Sequence, residues 1–320
     1  MVNPGWSRTA SPFHTGELAI QTRLGVQARL DQQGRRVIRD YLTEQHRQFF
    51  AQLPQVIVGT VDNSGSLWAS ILVGEPGFLS SPDDRTLQVV AKPLFGDPLA
   101  NTLADGIDIG LLGIELHTRR RNRLNGVVTA TDATGFKIRV EQSFGNCPQY
   151  IQSRRFEPKQ SDWAAPKTLH SIVGLGEPER TIVAAADTFF IATAHQDRTA
   201  GAATGVDVSH RGGKPGFIRI DDEQTLTIPD FPGNHHFNTF GNLEMNPHAG
   251  LLFVNFERGD LLYLTGTAKV VWESDEISAY AGAERLLRFH LERGHRVESS
   301  LPLQWTKPEF SPFLEPMGSW

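Results

Sequence analysis

Residues 205–250 read GVDVSHRGGKPGFIRIDDEQTLTIPDFPGNHHFNTFGNLEMNPHAG, and the rest of the chain is organised around them. A β-hairpin leads into the start of a short helix. The end of the first strand carries Ser209, His210, Arg211, Gly212, Gly213 and Lys214, and Asn238 and Thr239 stand where the helix begins. Two cations supply charge, glycines let a backbone approach closely, and short polar side chains at a helix start add donors. That combination suits a phosphate. The plain alternative is that Arg211 and Lys214 are solvated turn residues, as charged residues in turns commonly are.

The chain has 320 residues, enough for two ordinary domains, with one large all-β domain as the alternative. Its formal charge of −5 gives no sign of a nucleic-acid or anionic-membrane partner. No apolar run approaches the length needed to cross a bilayer, and MVNPGWSRTASPFH lacks the apolar core of a secretory signal. The single cysteine, Cys147, excludes an intrachain disulfide. A soluble, cytoplasmic protein with no nucleic-acid or membrane partner is expected.

Five regions follow from the pattern: an N-terminal helical arm (1–55), a first β unit (56–152), a linker (153–178), a second β unit (179–273) and a C-terminal helix with an extended tail (274–320). In the arm, Thr43 is the expected N-cap of TEQHRQFFAQL, with Phe49, Phe50 and Leu53 on one face and Pro54 as the stop. The linker SRRFEPKQSDWAAPKTLHSIVGLGEP is rich in Pro and Gly and lacks sustained periodicity. In SDEISAYAGAERLLRFHLERG, Asp275 and Glu276 would open a helix, Arg293 would lie in its last turn, and Gly294 would end it. The tail is expected to pack as an arm, because a disordered tail seldom carries Trp305, Phe310, Phe313 and Trp320.

The two β units are copies of each other. Gly74-Glu75-Pro76-Gly77-Phe78 matches Gly213-Lys214-Pro215-Gly216-Phe217, and Thr86-Leu87 answers Thr225-Leu226. Asn101-Thr102-Leu103, Gly110-Leu111-Leu112 and Leu124-Asn125-Gly126 answer Asn238-Thr239-Phe240, Gly250-Leu251-Leu252 and Leu264-Thr265-Gly266. Matches in one order at a nearly constant offset indicate duplication. Aligned through the shared motif, Ser70-Ile71-Leu72-Val73 lies opposite Ser209-His210-Arg211-Gly212, and Glu75 opposite Lys214. An anion is therefore expected in the second copy and not in the first. Because Asn-Thr recurs in both copies, helix capping is its alternative role.

The runs VSHRGGKPGF, LTIPDFPGN, FNTFGNLEMNP, GLLF, GDLLYLTGTA and SFGNCPQYIQ, with FHTGELAIQ and the GSW ending at the outer edges, resemble the pyridoxamine 5′-phosphate oxidase-related FMN-binding split-barrel proteins, in a tandem form. The resemblance implies a mainly β chain with flanking helices (α+β). It would hold two tandem split β-barrels as an internal pseudo-dimer, in a monomer or a homodimer, with FMN at the interface. It places Val208, Ser209, His210 and Arg211 along the flavin and its phosphate, and Ile228, Pro229 and Asp230 beside the isoalloxazine. Asn238 and Thr239 fall at helix-start positions that hold phosphate, where the oxidase has a basic pair, so neutralisation is left to Arg211 and Lys214. Asn146, Cys147, Tyr150 and Gln152 match the segment covering the flavin from the other barrel. The oxidase's substrate-specific C-terminal residues have no counterpart here, so pyridoxamine phosphate is not the expected substrate. The implied activity is an FMN-dependent oxidoreductase acting on a small molecule, with NAD(P)H or the substrate as reductant. Tyr150 and His210 are candidate donors near the ring. The alternative is a non-catalytic flavin- or haem-binding protein.

Other motifs have blander readings. Cys147 is read as a small buried hydrophobe. His235 and His236, with His210 and His248, lack the spacing of a metal site, and no metal is expected. Arg119, Arg120, Arg121 and Arg123 are read as a solvated hairpin turn, with a cofactor or partner phosphate as the lesser alternative. Gly174-Leu175-Gly176 lacks the third glycine and βαβ context of a dinucleotide fingerprint.

Overall fold

A computed structural model describes residues 5–158, 167–197, 201 and 203–320. The arm forms helices α1 (Thr15–Arg23), α2 (Gln27–Val37) and α3 (Glu44–Ala51). Thr43 caps α3, its hydroxyl accepting from the His46 N–H at 3.2 Å, and Phe49 and Phe50 are fully buried. The first sheet comprises β1 (Gln55–Val61), β2 (Leu67–Val73), β3 (Leu79–Ser80), β4 (Thr86–Val89), β5 (Asp108–Glu115), β6 (Arg120–Thr131) and β7 (Phe136–Gly145). A 3-10 turn, Pro98–Asn101, precedes β5. β8 (Phe156–Pro158), β9 (Leu169–Ile172) and α4 (Glu177–Ala185) connect the halves; residues 159–166 of the expected linker lie outside the described residues. The second half holds β10 (Thr188–His195), β11 (Gly205–Gly212), β12 (Arg219–Ile220), β13 (Thr225–Asp230), α5 (Asn238–Met245), β14 (His248–Val254), β15 (Leu261–Val271), α6 (Asp275–Ser278), β16 (Arg285–Val297) and β17 (Leu303–Trp305).

The strand orders are β2-β1-β5-β6-β7-β4-β3 and β11-β10-β14-β15-β16-β13-β12, the same path traced twice. β9 adds to β16, and β17 pairs β8. The expectation of two barrels is wrong. Both sheets are open: among the described residues no ladder joins β3 to β2 or β12 to β11. The last strand of each is only two residues long, too short to carry pairing round to the far edge. Among the described residues no helix is long and apolar enough to cross a membrane.

The C-terminal helix is also corrected. Only Asp275–Ser278 is helical, opened by the Ser274 hydroxyl accepting from the Glu276 N–H at 3.1 Å. Residues 285–297 form a thirteen-residue strand wedged between β15 and β13. Gly294 is no helix stop: a Cβ there would sit 2.5 Å from the Tyr263 carbonyl oxygen. Tertiary pairing overrides local propensity here. The tail does pack, with the Trp320 indole N–H donating to the Phe217 carbonyl at 2.8 Å.

Each sheet curls over its own apolar core, and the opposite faces meet in a shared third core. Alternation along β1 and β10 serves both: Val56, Val58, Phe189 and Ile191 face the private cores, while Ile57, Phe190 and Ala192 face the shared one. The contact is reciprocal. A Cβ on Gly110 would press into the Val206 carbonyl, and one on Gly250 into the Leu67 carbonyl at the equivalent place. Gly110→Ala or Gly250→Ala should therefore destabilise the fold by ~1–3 kcal/mol in urea denaturation through overpacking. Gly174→Ala, whose nearest foreign atom would be 3.7 Å away, should change stability by less than ~0.5 kcal/mol.

Candidate functional site

A cleft opens where β11, the end of β13 and the start of α5 face β6 and the chain after β7. It encloses ≈ 880 Å³ of free space, part of it open solvent at the mouth. Strand periodicity builds its floor. Arg121, Arg123 and Asn125 share one face of β6, and Asp207, Ser209 and Arg211 share one face of β11. The Arg123 guanidinium donates to Asp207 Oδ1 at 3.0 Å and to the Ser209 hydroxyl. Asn125 and Asn242 donate to the two oxygens of the same carboxylate at 2.7 and 3.1 Å. Asp207 thus ties together elements of both halves.

Deeper in the second half, Asp230 receives the Arg211 guanidinium and lies 3.5 Å from Arg285 Nε. Arg211 lies over the Phe240 ring at 4.8 Å, and Arg285 over Phe237 and Trp272 at 5.3 and 5.2 Å. The lining thus contains four arginines (121, 123, 211 and 285) against the carboxylates Asp230 and Glu284. With Asp207 behind Arg123, one positive charge remains in excess. Several guanidinium atoms are buried without a partner among the described residues: Arg123 Nε, Arg211 Nε and one terminal nitrogen of Arg285. Burying unpaired donors is costly, so a site that keeps them needs a ligand or pays in stability.

Helix α5 adds uncompensated donors. Its N-cap is Phe237, in the left-handed region at φ 63°, and no side chain caps the first N–H groups. Asn238 donates its side-chain N–H to Glu17 Oε1 at 2.5 Å, while the Thr239 hydroxyl donates to Ser209 at 3.2 Å. Glu17 comes from α1, which crosses α5 at Gly16 and Gly241 with backbones in contact. Burial, reinforced by Asp207, raises the Glu17 pKa well above the usual carboxylate range.

Ten of the fourteen predicted residues line the cleft: Ser209, His210, Arg211, Pro229, Asp230, Asn238, Thr239, Asn146, Cys147 and Tyr150. Four do not. Val208 lies in the shared core and Ile228 in the private core of the second half, so neither reaches the cleft. Lys214 donates to the Met317 carbonyl at 2.8 Å and so anchors the tail. Gln152 is fully buried, joining the Tyr150 and Gly213 carbonyls to the Ser311 N–H. The solvated-turn reading of the arginine cluster fails for Arg121 and Arg123. Arg121 donates to the carbonyls of Cys147 at 2.8 Å and His210 at 3.4 Å, and Arg123 is buried. Period two along β6 was the available signal. Arg285 was hidden by the helix assignment.

Tyr150, at φ 62°, donates its hydroxyl to the Pro232 carbonyl at 3.0 Å. Burial, with Cys147, Asp230 and Glu284 nearby, pushes its pKa up to about 12, so the phenol stays protonated at neutral pH. Burial, Arg121 and Arg211 hold His210 well below the usual histidine range, leaving a neutral imidazole whose Nε2 has no partner. His236 packs between Phe13 and Phe144 at ring distances of 5.4 and 5.8 Å. Among the described residues no group of three or more His, Cys, Asp and Glu side chains could hold a metal ion.

Residues 176–302, which contain α4 through β16, match a family model described as pyridoxamine 5′-phosphate oxidase. The second half is related to that family. No curated protein matches the chain. Solved structures similar to it include HupZ of Group A Streptococcus (15% identity, 39% of this chain and 94% of that one, TM-score 0.29). A putative pyridoxamine 5′-phosphate oxidase from Lactobacillus delbrueckii is 14% identical over 38% of this chain and 94% of its own, with a TM-score of 0.30. A FAD-binding protein from Mesorhizobium loti is 15% identical over 40% and 97%, with a TM-score of 0.26.

The buried histidines give the fold an acid limit. Burial is the first cause lowering His14, His46 and His236 to about 4, with His195, Arg39 and Arg123 respectively adding to it. For a depressed base, the neutral form contributes stability that is present above the ordinary value near 6.5 and is lost as pH falls toward 4. Replacing His236 by Leu should remove up to ~3 kcal/mol of that acid-dependent loss, read from urea denaturation at pH 7 and pH 4.5.

Proposed function

We propose that the cleft binds flavin mononucleotide and that the protein is an FMN-dependent oxidoreductase of small molecules, in a tandem form of the oxidase-related family. The observation carrying this reading is the surplus of buried, unpartnered guanidinium donors beside the uncapped start of α5. A phosphate dianion suits that environment. Arg211, Arg123, Ser209 and Thr239 would hold it, with the first N–H groups of α5. Pro229, Phe231, Tyr150 and Cys147 offer the flatter, less polar walls an aromatic ring needs, and the buried acceptor Asn146 Oδ1 suits a ring N–H.

When bound, the flavin supplies hydride and electron transfer between a reductant such as NAD(P)H and an acceptor. The chain's own part is placement. Phe237, Phe240 and Phe231 exclude water from one side, and Tyr150 keeps a protonated hydroxyl at the wall. His210 remains neutral and donates no net charge to the ring. One observation favours a second reading: the free Nε2 of neutral His210 is the ligand chemistry of a haem iron.

The absorption spectrum of the purified protein, with mass identification of the released chromophore, separates the two. Twin flavin bands and the mass of FMN are expected; a Soret band would replace the first reading by the second. Anaerobic bleaching of the flavin by NAD(P)H distinguishes turnover from storage. Arg211→Ala should weaken FMN binding by ~1.5–3 kcal/mol, the scale of a charge-assisted hydrogen bond. Leu72→Ala, at the matching position of the first half, should leave affinity unchanged while lowering stability. Equal loss of FMN from both variants would remove the assignment to the second half.

A further inference from the structure

The first half contains the same framework with a different filling. Ser70 pairs with Val58 on β2–β1 as Ser209 pairs with Ile191 on β11–β10. Tyr263 precedes Leu264, which pairs with Leu251, as Arg123 precedes Leu124, which pairs with Leu111. Both central strands then bulge at the same step, Asn125/Gly126 and Thr265/Gly266. The 3-10 turn Pro98–Asn101 falls where α5 begins in the second half. Ser70, Tyr263 and the turn thus stand where Ser209, Arg123 and the start of α5 stand across the molecule.

In the first half these groups converge on Asp97, which is 2% exposed. The Ser70 hydroxyl donates to its carboxylate at 2.5 Å and the Leu99 N–H at 2.8 Å. The Ile71 N–H reaches it at 3.4 Å, and the Tyr263 hydroxyl donates from the opposite sheet at 3.2 Å. A strand serine, helical-start N–H groups and a side chain of the facing sheet's central strand are the donor types that surround the cleft of the second half. We infer that Asp97 is a resident anion occupying the phosphate position of the first half, so that the chain takes one phosphate-bearing ligand and not two. The inference rests on reading the second-half cleft as a phosphate site. It also assigns Asp97 a positioning role that the fold alone does not require: an apolar side chain could fill the space, but only an acceptor satisfies four convergent donors.

The test counts ligands on the full chain. Titration of flavin-free protein with FMN should saturate at one equivalent per chain; two equivalents would overturn the inference. A second arm uses inorganic phosphate, followed by calorimetry, with Asp97→Ser and Asp97→Asn. Serine still caps Leu99 but vacates the carboxylate's volume, so one further equivalent of phosphate is expected relative to wild type. Asparagine fills the volume and should add none. No gain with Asp97→Ser would overturn the inference. Absence of FMN binding together with a gain of phosphate in Asp97→Ser would sink the flavin reading and leave this one standing. Should Asp97→Ser fail to fold, the wild-type FMN count decides.

Discussion

Two carbonyl-on-glycine contacts, Val206 over Gly110 and Leu67 over Gly250, fix how closely the sheets approach, and the cleft depends on that spacing. Without a Cβ at either position, backbone meets backbone, and the side chains beside them can interdigitate. Ile57, Phe190, Ala192, Val208 and Tyr263 then form one buried core belonging to neither half. That core brings β6 of the first sheet against β11 of the second. Every polar contact between Arg123, Asn125 and Asp207 follows from it.

The polar floor illustrates why buried charge is organised as a network and not as pairs. Arg123 alone would lose its hydration on burial, and an isolated Asp207 would do the same. Asp207 is instead bound by an arginine and an asparagine of the first half and by Asn242 of α5, so its lone pairs are satisfied from three directions. Glu17, with its pKa raised by burial and by Asp207, sits behind the same cluster and meets Asn238. The N-terminal arm therefore sets the start of α5 from behind, although it contributes nothing to the cleft surface. The excess cationic charge is left facing the cleft, where Asp230 and Glu284 are the carboxylates of the lining.

The duplication was legible because glycines, Thr-Leu pairs and Asn-Thr pairs mark turns and helix starts, which tolerate few substitutes. What local pattern could not supply was pairing. Whether a curled sheet closes depends on the length of its last strand, and neither Leu79–Ser80 nor Arg219–Ile220 announces its shortness in sequence. The stretch RLLRFHLERG carries good helix formers and a glycine where a helix could stop, so propensity pointed the wrong way. The repeat itself held the correction: β7 follows β6 in the first half, so a strand had to follow β15 in the second. Part of the cleft lining was legible as residue types, since Ser209, Arg211 and Thr239 all face it. Its cationic partner from the other half was not. Arg121 and Arg123 alternate visibly, but only the packing of the sheets shows which way that face points.

The two halves also show how an identical backbone can carry opposite electrostatics. Arg211 and Leu72 occupy one position, and Arg123 and Tyr263 another. Exchanging two guanidinium groups for a leucine and a phenol removes two positive charges while keeping a donor at the second position. A site so altered has lost its cationic charge, yet its serine hydroxyl and helical-start N–H groups still require an acceptor. A carboxylate four residues before Asn101 meets that need with a single charge, and it stays bound because it is part of the chain. Burial raises the Asp97 pKa to about 6, well short of what so enclosed an acid would show without its donors. The raised pKa is the cost of enclosing a charged group, and the four donors around Asp97 offset part of it.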